Sequence, residues 1–179
     1  PDALIIAVGS KPIFPKLSCT KENKVVGVEE VDFGLVQIGQ TVLVVGAGLS
    51  GCEAALLLAQ QNKQVDIIDL LPLDKIGAGG ATINNIELFR QMDENGVVLN
   101  ANTKLVEVTN DKVIIERKGV IEEKIYDTIV IAIGVKPNLD EVNKFTGLAR
   151  ETYIVGDCGT TRGNLLNAIA TAFDSSMTI

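Results

Sequence analysis

The 179-residue chain has no histidine and no tryptophan, and aromatics make up only 4% of it. Without histidine there is no catalytic His dyad or triad and no His-ligated metal site. The three cysteines, Cys19, Cys52 and Cys158, are widely separated. They form neither a CxxC redox pair nor the clustered run of an iron–sulfur centre. This odd, sparse set gives no disulfide framework and fits a reducing, cytoplasmic setting. No apolar run approaches the ~18 residues of a membrane span, and Pro1-Asp2-Ala3-Leu4 offers no basic n-region of a signal peptide. Lysine and arginine number 16 against 23 aspartates and glutamates, with no basic cluster and a net charge of −7. That balance argues against nucleic acid or anionic membrane as partners.

What is present is a globular composition, 46% hydrophobic and 22% charged. A chain of this size buries roughly 70% of its unfolded surface, enough for one sizeable core or two small ones. It starts without Met and stops within a helix-like stretch, so a piece of a longer protein is expected.

Residues 3–8 are a short apolar run stopped by Gly9-Ser10-Lys11-Pro12, the pattern of a buried parallel strand ending at a turn. Residues 11–40 are polar, broken by Pro12, Pro15, Gly27, Gly34 and Gly39, and read as a connector. Residues 42–45 read as a buried strand, 46–51 as a tight turn, and 52–61 as a helix with Cys52, Ala55, Leu56 and Ala59 on one face. A strand over 65–69 and a loop over 71–81 follow. A second helix over 85–95 is expected to turn Ile86, Phe89 and Met92 inward and to stop at Gly96, ahead of a strand at 97–99. The β-rich runs 105–109, 112–117 and 120–126 predict an antiparallel meander. Residues 128–133 and 153–155 read as further strands and 164–177 as a last helix. The fold class is therefore α/β, a Rossmann-like domain with a parallel sheet, in which the meander replaces one crossover helix.

Gly46-Ala47-Gly48-Leu49-Ser50-Gly51 lies between a strand and a helix, the context that gives GxGxxG its meaning. Gly46 permits the tight turn, Gly48 lets backbone approach a pyrophosphate, and Gly51 lets the helix lie close to the strand. The helix N-terminus offers unpaired N–H groups to the phosphates. Asp69 closes the next strand, 18 residues beyond Gly51, where a carboxylate accepts hydrogen bonds from an adenosine ribose and repels a 2′-phosphate. The next basic residue is Lys75, so NADH is favoured over NADPH. A P-loop needs Lys and Ser/Thr after the last glycine, where this chain has Cys52-Glu53. An S-adenosylmethionine-type site would place an acidic residue where Val44 and Val45 stand.

Each of these features also has a plain structural reading: a glycine turn kept for packing, and a solvent-facing Asp at a strand end. Cys52 falls on the apolar helix face and reads as core. Cys158 has no partner cysteine nearby. Gly77, Gly79 and Gly80 read as a flexible loop, Arg162 as a surface residue, and the acidic excess as a solvated face.

Taken together, these motifs resemble the two-dinucleotide-binding flavoproteins of the pyridine nucleotide–disulfide oxidoreductase superfamily. Asp2-Ala3-Leu4-Ile5-Ile6-Ala7-Val8-Gly9 is similar to that family's first "ATG" strand, with Val8 for the usual Thr. Residues 46–51 with Cys52-Glu53 match its GxGxxGxE, and residues 127–134 with Lys136-Pro137-Asn138 resemble its second "ATG" strand. Thr152-Tyr153-Ile154-Val155-Gly156-Asp157 resembles the strand whose terminal Asp holds the flavin ribityl chain. The resemblance implies a NAD(H)-binding domain over 36–135, a connector over 11–35, and parts of a FAD-binding domain at 1–10 and 136–179. It places Gly46, Gly48, Ser50 and Gly51 around the pyrophosphate, counts Ala47 and Leu49 between them as cofactor-binding, and sets Asp69 at the ribose. Glu53 would lie near the nicotinamide end, where its bland reading is a first-turn complement to the helix dipole. Gly134 would lie near the bound cofactor and Asp157 at FAD. None of these residues performs acid–base or covalent chemistry, because nicotinamide and flavin carry the hydride transfer.

Within the superfamily, the lack of CxxC or CxxxxC weighs against disulfide reductases. Residues 156–172 resemble the C-terminal module of 2-enoate and 2,4-dienoyl-CoA reductases, in which a barrel with FMN and a 4Fe–4S cluster precedes this module. The implied partners are a nicotinamide dinucleotide and the rest of a parent flavoprotein that reduces an activated C=C bond. The family's N-terminal FAD motif is not in this sequence, so the 179-residue chain is expected to bind NADH, to purify without stoichiometric flavin and to be inactive alone. Self-association into a homo-oligomer through flavin-facing edges is a further expectation. Two rivals stay open: a module of an NADH oxidase, and a non-catalytic NAD-sensing Rossmann domain.

Overall fold

A computed structural model describes residues 1–19, 21, 24–77, 82–159 and 163–179. In chain order the elements are β1 (Ala3–Ile6), β2 (Ser10–Pro12), β3 (Val25–Gly27), α1 (Val28–Asp32), β4 (Thr41–Val45), α2 (Leu49–Gln60), β5 (Gln64–Ile68), α3 (Thr82–Glu94) and β6 (Val98–Asn100). They continue with β7 (Thr103–Val108), β8 (Val113–Arg117), β9 (Val120–Lys124), β10 (Thr128–Ile131), β11 (Val135–Pro137), α4 (Leu139–Phe145), β12 (Glu151–Ile154) and α5 (Leu165–Ser176). The chain folds as two units, one formed by Phe14–Ile133 and the other by Pro1–Ile13 with Gly134–Ile179.

In the first unit a five-stranded parallel sheet runs in the order β3-β10-β4-β5-β6. Its central strands are apolar on both faces, as a sheet covered twice requires. Alternation along β4 shows the two layers. Val42 and Val44 join Cys52, Ala55, Leu58 and Met92 under the helices, while Leu43 and Val45 join Val108, Val113, Ile115 and Tyr126 under the meander. The small side chains of Cys52, Ala55 and Ala59 let α2 lie close over the sheet. The meander is antiparallel, β7-β8-β9, with a register shift between Leu105 and Glu107. From β4 the chain moves outward to β5 and β6, then returns through the meander to β10 on the other side of β4. This reversal makes the carboxyl ends of β4 and β10 the switch point of the sheet, the usual ligand position in open α/β sheets.

The stretch 11–40 is more than a connector. It carries β2, the edge strand β3 paired to β10, and the five-residue α1. Runs this short show no hydrophobic period, so only the pairing defines them. Helix α3 also differs from expectation. Met92 is buried and Phe89 packs on the core, but Ile86 is 65% exposed. Six residues separate Ile86 from Met92, which places it about 120° around the helix, and Asn85 takes the inward position instead.

In the second unit β1 pairs parallel with β12, from Ala3↔Glu151 to Ile6↔Ile154, and β2 pairs antiparallel with β11. Ile6, Val142 and Cys158 form its buried cluster. Helix α4 occupies a stretch read from sequence only as polar. It buries one side chain, Val142, and so shows no apolar stripe.

Candidate functional site

The three glycines of the turn after β4 are glycines for different reasons. Gly46 has φ +103°, and a Cβ there would lie 2.4 Å from the carbonyl oxygen of Ala132. A Cβ on Gly51 would lie 1.9 Å from the carbonyl oxygen of Gly46. Backbone and packing therefore account for both. Gly48 is different: its φ of −68° and ψ of −179° suit any residue, and a Cβ would meet nothing within 4 Å. Nothing in the chain itself requires glycine at this position.

Gly48 is the N-cap of α2 and gives no side-chain cap, so the first-turn N–H groups face outward without a side-chain acceptor. The first turn contains no acidic residue, which leaves the positive end of the helix dipole uncompensated. Ser50 is exposed in that turn, Leu49 is half-buried, and Glu53 is exposed just beyond it. The bland first-turn reading of Glu53 therefore does not describe its position.

Asp69 follows β5 beside this turn. Its Oδ2 accepts the N–H of Ala47 at 2.6 Å and its Oδ1 accepts the N–H of Leu71 at 2.7 Å. Two backbone amides thus fix the carboxylate, and each oxygen keeps a lone pair for a further donor. Ala47 itself is buried, and its carbonyl accepts the N–H of Gly77 at 2.9 Å and the thiol of Cys52 at 3.5 Å. Burial, with the Asp69 and Glu53 charges, pushes the Cys52 thiol up to about 11. A thiol with that value is almost wholly protonated at neutral pH and unreactive. Gly79 and Gly80, the rest of the glycine-rich loop, lie outside the described residues.

Gly134 and Asp157 belong to the other unit. Gly134 has φ +99° and its carbonyl accepts the N–H of Ile13 at 2.9 Å. Asp157 sits in the short turn after β12, its Oδ2 3.5 Å from the Ser10 hydroxyl. It lines a cavity of about 520 Å³ with Ala7, Gly9, Gly156, Asn164 and Ala168. Its lining is mostly apolar, with the Asp157 carboxylate and the Asn164 amide as its polar side chains. Arg162 lies outside the described residues.

Sequence reasoning missed two supports. Thr171 accepts the Gly156 N–H at 2.9 Å, and Asn85 donates to the Gly77 carbonyl at 2.9 Å. Neither position stands out in composition or period.

The pyridine nucleotide-disulphide oxidoreductase family matches residues 1–162. The chain belongs to that family. Cinnamate reductase of Clostridium sporogenes is 27% identical over 181 residues, covering 99% of this chain and 26% of that protein. NADH oxidase of Thermoanaerobacter brockii is 27% identical over 179 residues, covering 97% of this chain and 27% of its own length. The solved structure of 2-naphthoyl-CoA reductase in complex with 2-naphthoyl-CoA matches with a TM-score of 0.86 at 27% identity, over 100% of this chain and 27% of that one. The chain therefore spans only 26% to 27% of the length of these relatives. As a member of the family it is a pyridine-nucleotide-binding domain of flavin oxidoreductases, and the family implies NAD(P)H and FAD. Among the described residues no helix is long and apolar enough to cross a membrane.

Proposed function

We propose that this chain is the NADH-binding module of a flavin-dependent oxidoreductase and holds NADH so that hydride passes to FAD. One observation carries the reading: Gly48 is a glycine that neither its backbone angles nor any neighbour requires, at an uncapped helix N-terminus. A residue kept bare on that side makes sense when a pyrophosphate lies against it. On this reading Gly46 and Gly51 shape the turn, Gly48, Leu49 and Ser50 line the pyrophosphate, and Ala47, expected at the cofactor, is instead buried beneath the turn with both its backbone polar groups engaged. Asp69 accepts the adenosine ribose hydroxyls and repels a 2′-phosphate, which selects NADH over NADPH. Glu53 lies toward the nicotinamide end. The stretch Phe14–Ile133 is then the nucleotide-binding part, while Pro1–Ile13 and Gly134–Ile179 belong to a flavin domain. There Asp157 would hold the ribityl chain and Gly134 would lie near the cofactor. FAD, when bound, supplies the hydride acceptor; this chain's residues bind, orient and exclude water.

Similarity to a cinnamate reductase and to a 2-naphthoyl-CoA reductase supports a parent that reduces an activated C=C bond, of 2-enoate or 2,4-dienoyl-CoA type. FMN and a 4Fe–4S cluster would then reside in other parts of that parent. A second reading, with oxygen as the final acceptor, rests on the similarity to an NADH oxidase. The two separate in a longer parent by whether NADH oxidation follows oxygen or an enoate.

Calorimetric titration of the chain with NADH and with NADPH tests the core of the proposal. NADH is expected to bind more tightly, and Asp69→Ala to weaken NADH by about 10- to 100-fold, the worth of one or two charged hydrogen bonds. Gly48→Val is expected to abolish binding. A folded chain that binds neither nucleotide, or a Gly48→Val variant that binds like wild type, would overturn it.

A further inference from the structure

We propose that Asn85 is a positioning residue for the pyrophosphate turn, acting from α3 through Gly77; the proposal rests on the NADH-binding reading above. The chain of contacts is short. The Asn85 side-chain amide donates to the Gly77 carbonyl at 2.9 Å, and the Gly77 N–H donates to the Ala47 carbonyl at 2.9 Å. Among the described residues all peptide bonds are trans. In a planar trans peptide the carbonyl of one residue and the N–H of the next point in opposite directions. Whatever fixes the Ala47 carbonyl therefore aims the Gly48 N–H, the amide beside the bare face of the turn. On its other side Ala47 is fixed through its N–H by Asp69. The peptide units on both sides of Ala47 are thus held at two points of the one connection between β5 and α3, Asp69 and Gly77.

Gly77 cannot serve alone. It has φ +73°, and a Cβ there would lie 2.9 Å from the Phe89 ring, so the loop reaches Ala47 only as glycine pressed against α3. Asn85 is the side chain of that helix that grips it. Packing does not explain an asparagine here. Asn85 lies on the inward side of α3, seven residues before the buried Met92, where an apolar side chain would fit the helix pattern. Its Oδ1 is also buried with no hydrogen-bond partner among the described residues, a cost to stability that leucine would not carry. The residue is explained by what its amide holds in place.

Asn85→Leu keeps the shape and removes both the donor and the orphaned acceptor. A packing role predicts lower stability and no separate effect on ligand. A positioning role predicts otherwise: a melting temperature close to wild type, because the buried Gly77 carbonyl left without its donor offsets the Oδ1 that is removed, with the NADH dissociation constant raised about 3- to 10-fold. The amide resonances of Gly48 and Gly77 should also shift in the ligand-free protein. Asn85→Ala serves as the second variant, with the same expected loss of affinity and the same amide shifts. Variants that bind NADH like wild type, with the Gly48 amide unmoved, would overturn the relay and leave the NADH reading standing. Wild-type protein that binds no NADH would overturn both.

Discussion

Of the three glycines in the turn after β4, two answer to the chain's own packing and Gly48, on the proposed reading, to a bound pyrophosphate, and substitution should separate them by size. Gly51→Ala would drive a methyl into the Gly46 carbonyl, so destabilisation of about 1–3 kcal/mol or more is expected. Gly48→Ala meets open space at φ −68°. Loss of a glycine's unfolded-state freedom at such a position stabilises by about 0.4–1 kcal/mol. Alanine is a poorer N-cap than glycine by a similar amount, so Gly48→Ala should leave the melting temperature near wild type while lowering NADH affinity, two effects that thermal melts and titration read independently. A melting temperature lowered as much as in Gly51→Ala would mean that the turn needs this glycine for its own packing. The pattern GxGxxG was legible in the sequence, but the division of labour within it was not. That division depends on the distance from Gly46 to Ala132, a residue far along the chain.

At the scale of elements, the sequence revealed what its periods could encode. The apolar runs of β4 and β10, the meander and the inward Cys52–Ala55–Ala59 face of α2 all appear where pattern placed them. Short β3, five-residue α1 and α4 escaped because too few residues repeat, and Ile86 was misplaced because a lone apolar residue does not fix a helix face. Polar joints between elements are harder still to read, and Asp127 is one. Its carboxylate accepts the Thr41 N–H at 2.8 Å, the Thr41 hydroxyl at 3.0 Å and the Gln40 N–H at 2.9 Å, tying the start of β10 to the start of β4. The Thr41 hydrogen bonds hold this carboxyl below the usual aspartate range. A depressed folded-state pKa contributes stability above the unfolded value of about 3.9, and that stability is lost as pH falls through the folded value. The urea midpoint should accordingly fall as the protein is acidified below about pH 4. Asp127→Asn should start from a lower midpoint at neutral pH and show a smaller acid-dependent decline. Equal pH dependence in the two proteins would remove Asp127 from the acid limb.

For the whole molecule, the contrast between the two units sets how it should unfold. Phe14–Ile133 is one continuous stretch with a five-stranded sheet covered on both faces by two apolar clusters. The unit of Pro1–Ile13 and Gly134–Ile179 is assembled from two distant segments around Ile6, Val142 and Cys158, and α5 contributes no buried side chain to it. Its strands pair only two by two, an arrangement of marginal stability in water. Calorimetric unfolding should therefore show two transitions, the lower belonging to the discontinuous unit. NADH bound at the turn after β4 stabilises only the state that holds that turn folded. At a free concentration of about 100 times its dissociation constant the gain is about 2.7 kcal/mol, a shift on the order of 10 °C. That shift should fall on the upper transition and leave the lower one in place. If NADH raised the lower transition instead, the nucleotide would be held by the discontinuous unit, and the assignment of Gly48 and Asp69 to the dinucleotide would fail with it.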